Sequence, residues 1–238
     1  MRVSDNGRYL LDNENQPFFY LADTAWKLFY ELNREDADEY LKNRREKGFT
    51  VIMPCILAEC GKNNKERFYN YNGHEPLVDL DPTRPNEVFF EHVDYIIDQA
   101  NQLGMTVALL PTWGEFVGPL AWGKGPVIFN EENAHIYGEY LGNRYGGNYV
   151  IWVLGGDRDP NQEIYRKVWR AMAEGLKTGD KGRNLITYHP TALHSSSEWL
   201  HQESWLDFNM IQTGVRFDHD NYNMMFRDYD KTPVKPVV

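Results

Sequence analysis

"PNEVFFEHVDYIIDQANQLGMTVALLPTWG", residues 85–114, runs a helical period into a strand with almost nothing between them. Phe89, Val93, Ile96, Ile97, Ala100 and Leu103 recur at the three- and four-residue spacing of a single helical face. Gly104 stops that pattern, and "MTVALLPTW" follows at once as an apolar run of strand length. The same order recurs on both sides. Upstream, "NREDADEYLKNRREKG" opens on Asn33 as a cap, carries acids in its first turn and stops at Gly48 before the strand "FTVIMPCILA". Downstream, a helix over 131–145 capped by Asn130 leads into "YVIWVLGG", and a helix over 163–177 leads into "NLITYHP". A first core strand at 18–22 follows a hairpin turned by "DNENQP". A sixth strand, "FNMIQTG", a helix over 222–229 and the apolar stub "VKPVV" complete the chain. Strand and helix alternating in this way indicate a parallel sheet with crossover helices.

Loop lengths choose between the two common parallel architectures. Connections from helix to strand are terse (47–48, 103–104, 146–148), whereas those from strand to helix are long (59–84, 114–129, 191–206). That asymmetry belongs to a (β/α) barrel whose active site lies at the C-terminal ends of its strands. A doubly wound sheet is the competitor, but the first strand-to-helix turn, "LADTAW", lacks G-x-G-x-x-G and the chain has no P-loop. The expectation is one domain over 1–238, an α/β chain of the TIM (β/α)8 type. Its seventh strand is "VKPVV", and the eighth is missing from the sequence.

The 238 residues carry a formal net charge of −10, with lysine and arginine scattered, which argues against a nucleic-acid partner. Seven Trp, fifteen Tyr and twelve Phe suit stacking on sugar rings as well as a packed core. Cys55 and Cys60 have neither CxxC nor zinc spacing and read as free thiols. No leader pattern and no apolar run of membrane-spanning length occurs, so a cytoplasmic chain without a membrane partner is expected.

The chemistry concentrates in "WVLGGDRDP", residues 152–160. Two glycines end the fourth strand and leave Asp157 at the face where barrel enzymes act. Asp159, before Pro160, is the expected cap of the following helix, which frees Asp157 for another role. A strand-end carboxyl among aromatics suits glycoside hydrolysis, in which one carboxyl protonates the leaving oxygen and a second attacks or activates water. Other candidates for substrate binding are Asp23 and Trp26 after the first strand, Glu59 after the second and Trp113 and Trp122 around the third loop. His189, His194 and Gln212 near the fifth and sixth strand ends complete the set. Glu115 is either a hydroxyl acceptor or a solvated loop charge. The serines at 195–197 lack a G-x-S-x-G elbow. No H-x-H, H-E-x-x-H or cysteine cluster points to a metal, and no cofactor is expected.

Blocks spanning nearly the whole chain, among them "VSDNGRYLLDNENQPFFYLADTAW", "LLPTWG", "WGKGP", "IWVLGGD", "TYHPTALHSSSEW" and "WLDFNMIQTG", resemble the apiosidase-like barrels of glycoside hydrolase family 140. That resemblance implies retaining hydrolysis of an oligosaccharide or glycoside substrate, with Asp157 as the acid/base. It also implies a nucleophilic glutamate in a segment directly after the seventh strand, beyond residue 238. Two alternatives stand beside it: a catalytically silent carbohydrate-binding barrel and a metal-dependent barrel hydrolase.

Overall fold

The computed structural model describes residues 1–58, 69–118, 126–214 and 220–238. At the N-terminus β1 (Arg2–Val3) pairs antiparallel with β2 (Leu10–Leu11), and a bridge from Leu11 to Pro17 closes the expected hairpin. Asp12 caps its turn by accepting from the Glu14 and Gln16 amides. The first core strand, β3 (Ala22–Thr24), starts a few residues later than expected.

Five strands in chain order form one parallel sheet: β3, β4 (Val51–Met53), then, after β5 (Cys55–Leu57), β6 (Thr106–Thr112), β7 (Val150–Gly155) and β8 (Ile186–His189). β5 continues β4 past Pro54, whose missing N–H interrupts the ladder, and pairs with the upper half of β6. Each strand lies beside its predecessor with no reversal of order. A doubly wound sheet requires such a reversal, so the order is that of successive strands in a TIM-type barrel.

The helices fall where the periodicity put them. After α1 (Leu28–Glu31) come α2 (Arg34–Glu46), capped by the Asn33 side chain, and α3 (Glu87–Gln102). The latter buries Phe89, Phe90, Val93, Ile96, Ile97 and Ala100. Each of the larger side chains, Ala100 apart, contributes about 1.5–3 kcal/mol of apolar burial. α4 (Glu131–Tyr145) begins in a reciprocal capping box between Asn130 and Asn133. α5 (Glu163–Asp180) runs three residues past its expected end, because buried Asp180 accepts from the Trp152 indole and then from the Gly182 amide that turns the chain.

α4 and α5 touch backbone to backbone. A Cβ on Gly138 or Gly142 would lie 2.4 Å from the Met172 or Leu176 carbonyl, and one on Gly175 or Gly179 would lie 2.1 or 2.4 Å from the His135 or Glu139 carbonyl. Glycines four apart on both helices therefore form a mutual groove.

The sixth expected strand is only partly strand. Its end, β10 (Ile211–Gln212), pairs antiparallel with β9 (His194–Ser195), a short strand inside the long loop after β8 that precedes α6 (Ser197–Leu200). On the other side Asn209 bridges Val237 in parallel, held by the Asn209 amide to Pro236 and the Val238 amide to Asn209. Two partners thus divide a short run of backbone. α7 (Asn221–Tyr229) follows, anchored by fully buried Asp228, which accepts from the hydroxyls of Ser195 and Ser197. No helix among the described residues is long and apolar enough to cross a membrane.

Candidate active site

The strand tips are tied to one another before any side chain is considered. The Ala25 amide donates to Met53, Trp113 to Leu57, Gly114 to Gly156 and Gly156 to His189, at 2.8–3.2 Å. These bonds extend the parallel ladder past the strand ends, so residues placed there are held by rigid elements.

Four of the expected residues meet on this platform. The edge of Trp26 meets Trp113 at 5.1 Å between ring centroids and His189 at 5.4 Å, and Trp113 lies 6.2 Å from His189. Asp157 completes the group, with its Oδ1 3.6 Å from His189 Nδ1. Both of those atoms are buried, and neither has a hydrogen-bond partner among the described residues. Burial lowers the His189 pKa below the usual histidine value, and the Asp157 charge opposes that shift.

The glycines that end β7 are required by the packing of the protein itself. Gly155, Gly156 and Asp157 take φ values of 92°, 101° and 50° in succession. A Cβ on Gly155 would strike the His189 carbonyl and the Tyr188 ring, and one on Gly156 would sit 2.8 Å from the Trp113 ring. They make room for the neighbouring strand and for Trp113. Asp157, a non-glycine residue at positive φ, is held in a sparsely populated conformation, a kind of strain that clusters at functional sites.

Other expectations change. Asp159 does not cap α5: the N-cap is Gln162, without a side-chain bond, and the Asp159 carboxylate accepts from the Thr191 amide and hydroxyl. Asp23 faces the helix layer, where it accepts from Tyr40 at 2.8 Å and pairs with Arg44 at 3.3 Å. Strand alternation turns it away from the cluster. Glu115 is buried, not a solvated loop charge. His194 and Gln212 are partners across the β9–β10 pair and form a second group. There His194 Nδ1 contacts Glu198 at 2.7 Å, and its Nε2 lies 3.8 Å from Asp159. Glu59, Trp122 and Cys60 lie outside the described residues, while Cys55 is a buried free thiol whose pKa burial pushes up.

Sequence reasoning missed Arg158 and Tyr188. The buried Arg158 guanidinium donates to the Asp157 carbonyl at 2.7 Å, and the Tyr188 hydroxyl donates to the Arg158 carbonyl at 2.7 Å, fixing both sides of the Asp157 loop. The signal available was slight, an arginine directly after the GGD turn. Two cavities flank the cluster. One of about 420 Å³ lies between the N-terminal hairpin, at Arg8 to Leu10, and the 236–238 segment, and reaches Tyr20, Met53, Met210 and His189. The other, about 320 Å³, lies across the Asp157 loop, between Gly114, Arg158, Asp159 and Tyr165. Among the described residues no group of three or more His, Cys, Asp or Glu side chains is placed to hold a metal ion.

A family model described as "Apiosidase-like, catalytic domain" matches residues 4–238. The chain is 30% identical to a glycoside hydrolase family 5 protein from Bacteroides vulgatus, with a TM-score of 0.83 over 99% of this chain and 52% of that one. A second solved structure, titled "Glycoside hydrolase", is also 30% identical, with a TM-score of 0.83 over 99% and 54%. An endo-1,4-beta-mannanase from Rhizomucor miehei, 14% identical with a TM-score of 0.64 over 100% and 80% of the two chains, shares the fold alone. The chain spans about half the length of the first two structures. No curated protein matches it.

Proposed function

The chain belongs to the apiosidase-like catalytic domain family, and from that premise we propose that it is the barrel of a retaining glycoside hydrolase acting on plant-type glycans. Asp157 is the general acid/base. The observation that carries this reading is a strand-end carboxylate held at positive φ beside His189, whose ring packs on Trp26 and Trp113, on the face where barrel enzymes act. In the first step Asp157 gives its proton to the departing glycosidic oxygen, and in the second it takes one from the attacking water. The nucleophile is the glutamate that the family resemblance puts directly after the 236–238 segment, completing a (β/α)8 barrel.

Trp26, less buried than Trp113, offers its ring to the sugar, while Trp113 backs it. His194 and Gln212 are proposed contacts further along the glycan, and Glu59 and Trp122, outside the described residues, are kept as proposed substrate contacts. The family name favours an apioside, and the long loops decide the ring and linkage. The test is an aryl-glycoside panel on the full-length gene product and its Asp157→Ala variant. A loss of about 10²–10⁴-fold in kcat/KM, which reports the proton-donating first step, confined to poor leaving groups is expected of a general acid. Equal loss on good and poor leaving groups would reject the role.

A further inference from the structure

Asp157 presents its two carboxylate oxygens to different surroundings. Oδ1 is buried against His189, yet the side chain as a whole keeps 38% of its exposure, so Oδ2 is the oxygen open to solvent. His189 is fixed from several directions. Its ring is wedged against Trp26 at an interplanar angle of 83° and against Trp113 at 40°, and its carbonyl accepts from the Gly156 amide, one residue before Asp157. A gap of 3.6 Å between Nδ1 and Oδ1 closes to hydrogen-bond length with a side-chain movement of under ~1 Å, and catalytic contacts commonly tighten in this way when substrate binds.

We propose that His189 is a positioning residue for Asp157: its Nδ1 holds Oδ1, so that the exchangeable proton is carried by Oδ2 toward the glycosidic oxygen. The proposal rests on the reading of Asp157 as the acid/base. His189 itself neither gains nor loses a proton in the reaction. Burial keeps its ring neutral near neutral pH, so it orients the carboxyl without competing for the proton. The charged and titratable groups around it are Asp157 from the β7–α5 connection, and Arg8, Tyr9 and Tyr20 along the cavity that His189 also lines. Trp26 and Trp113 close the remaining sides with uncharged rings.

The test uses the full-length gene product with aryl glycosides of good and poor leaving groups. His189→Phe should lower kcat/KM, which reports the proton-donating first step, by about 10- to 100-fold on poor leaving groups, the scale of a ~1 Å misplacement. On the same measure good leaving groups should lose under about 3-fold, because their departure needs little proton donation. In an Asp157→Ala background the same change should add almost nothing, since residues acting through one another are not additive. His189→Asn, whose amide occupies the Nδ1 position, should recover most of the rate. Equal loss on both substrate classes, or a full multiplicative loss beside Asp157→Ala, would overturn the proposal. A measurement that needs no His189 variant is the ¹⁵N resonance of its Nδ1, which should move between the parent and Asp157→Ala; an unchanged resonance would also overturn it. If Asp157→Ala has no leaving-group preference, the acid/base reading itself fails, which is a distinct outcome that removes the proposal with it.

Discussion

Replacing Gly156 by alanine should damage both the stability and the activity of this protein, and the structure sets the size of each effect. At φ 101° an L-residue occupies a region that is nearly glycine-only, at a cost of about 1–3 kcal/mol. The added Cβ would sit 2.8 Å from Trp113 Cε3, whereas carbons in contact prefer about 3.5–4.0 Å, so the ring must retreat by roughly 0.7–1.2 Å. Trp113 is 3% exposed and already packs on Trp26 and His189, so it cannot retreat alone. Overpacking of this kind adds about 1–3 kcal/mol. The sum is about 2–6 kcal/mol, which for a chain of this size lowers the melting temperature by roughly 5–20 °C. A displacement near 1 Å at the site should also lower turnover by about 10²-fold. Differential scanning fluorimetry and aryl-glycoside kinetics measure the two effects. Gly147→Ala is the control, because nothing lies within 4 Å of its added Cβ, and it should stay within about 0.5 kcal/mol of the parent. A Gly156→Ala protein that melts within about 2 °C of the parent and turns over normally would refute the claim that this glycine exists to seat Trp113.

The helix groove should be as intolerant. Gly175→Ala would bring a methyl within 2.1 Å of a main-chain carbonyl that cannot rotate away, so α4 and α5 must separate. A loss of about 3 kcal/mol or more in urea melts is expected, and a loss under about 1 kcal/mol would show that the pair adjusts freely. On the pH axis, burial lowers the pKa values of both His92 and His189. Their folded values lie below the unfolded value near 6.5, so the unfolded chain takes up more protons as pH falls. Their contribution to stability is present above that pH and is lost as pH drops through it toward the folded values. Asp207, raised by its burial, works in the opposite sense, contributing at acid pH and losing that contribution as pH rises through its folded value. Melting temperature should therefore fall between pH 7.5 and 5.5, and less steeply in His92→Gln; an identical slope in that variant would count against the assignment.

Local chemistry explains what was legible. Asn33 and Asn130 cap the helices they precede, α3 buries all but the last of its expected stripe, and the terse turns fall at Gly48 and Gly104, both at positive φ. These features depend on residues within a turn or two of each other. The candidate site was legible in part, because strand ends can be counted: Asp157, Trp26, Trp113 and His189 were each expected at a rim and do converge. Asp23 was misread because whether a strand residue faces the axis or the helices changes with a one-residue shift in register. Asp159 was misread because its partner, Thr191, comes from the next strand's loop, 32 residues away.

By itself, then, the sequence determined the alternation of strands and helices, the face that carries the long loops and the place of the GGD carboxyl at the end of its strand. Only the tertiary structure decided which groups that carboxyl meets, that Gly156 yields to Trp113, and that four glycines let α4 and α5 touch. The physical reason is range. Capping and periodicity act over a few residues of one segment, whereas the distance from Asp157 to His189 is set by the pairing of β7 with β8, which no single segment encodes.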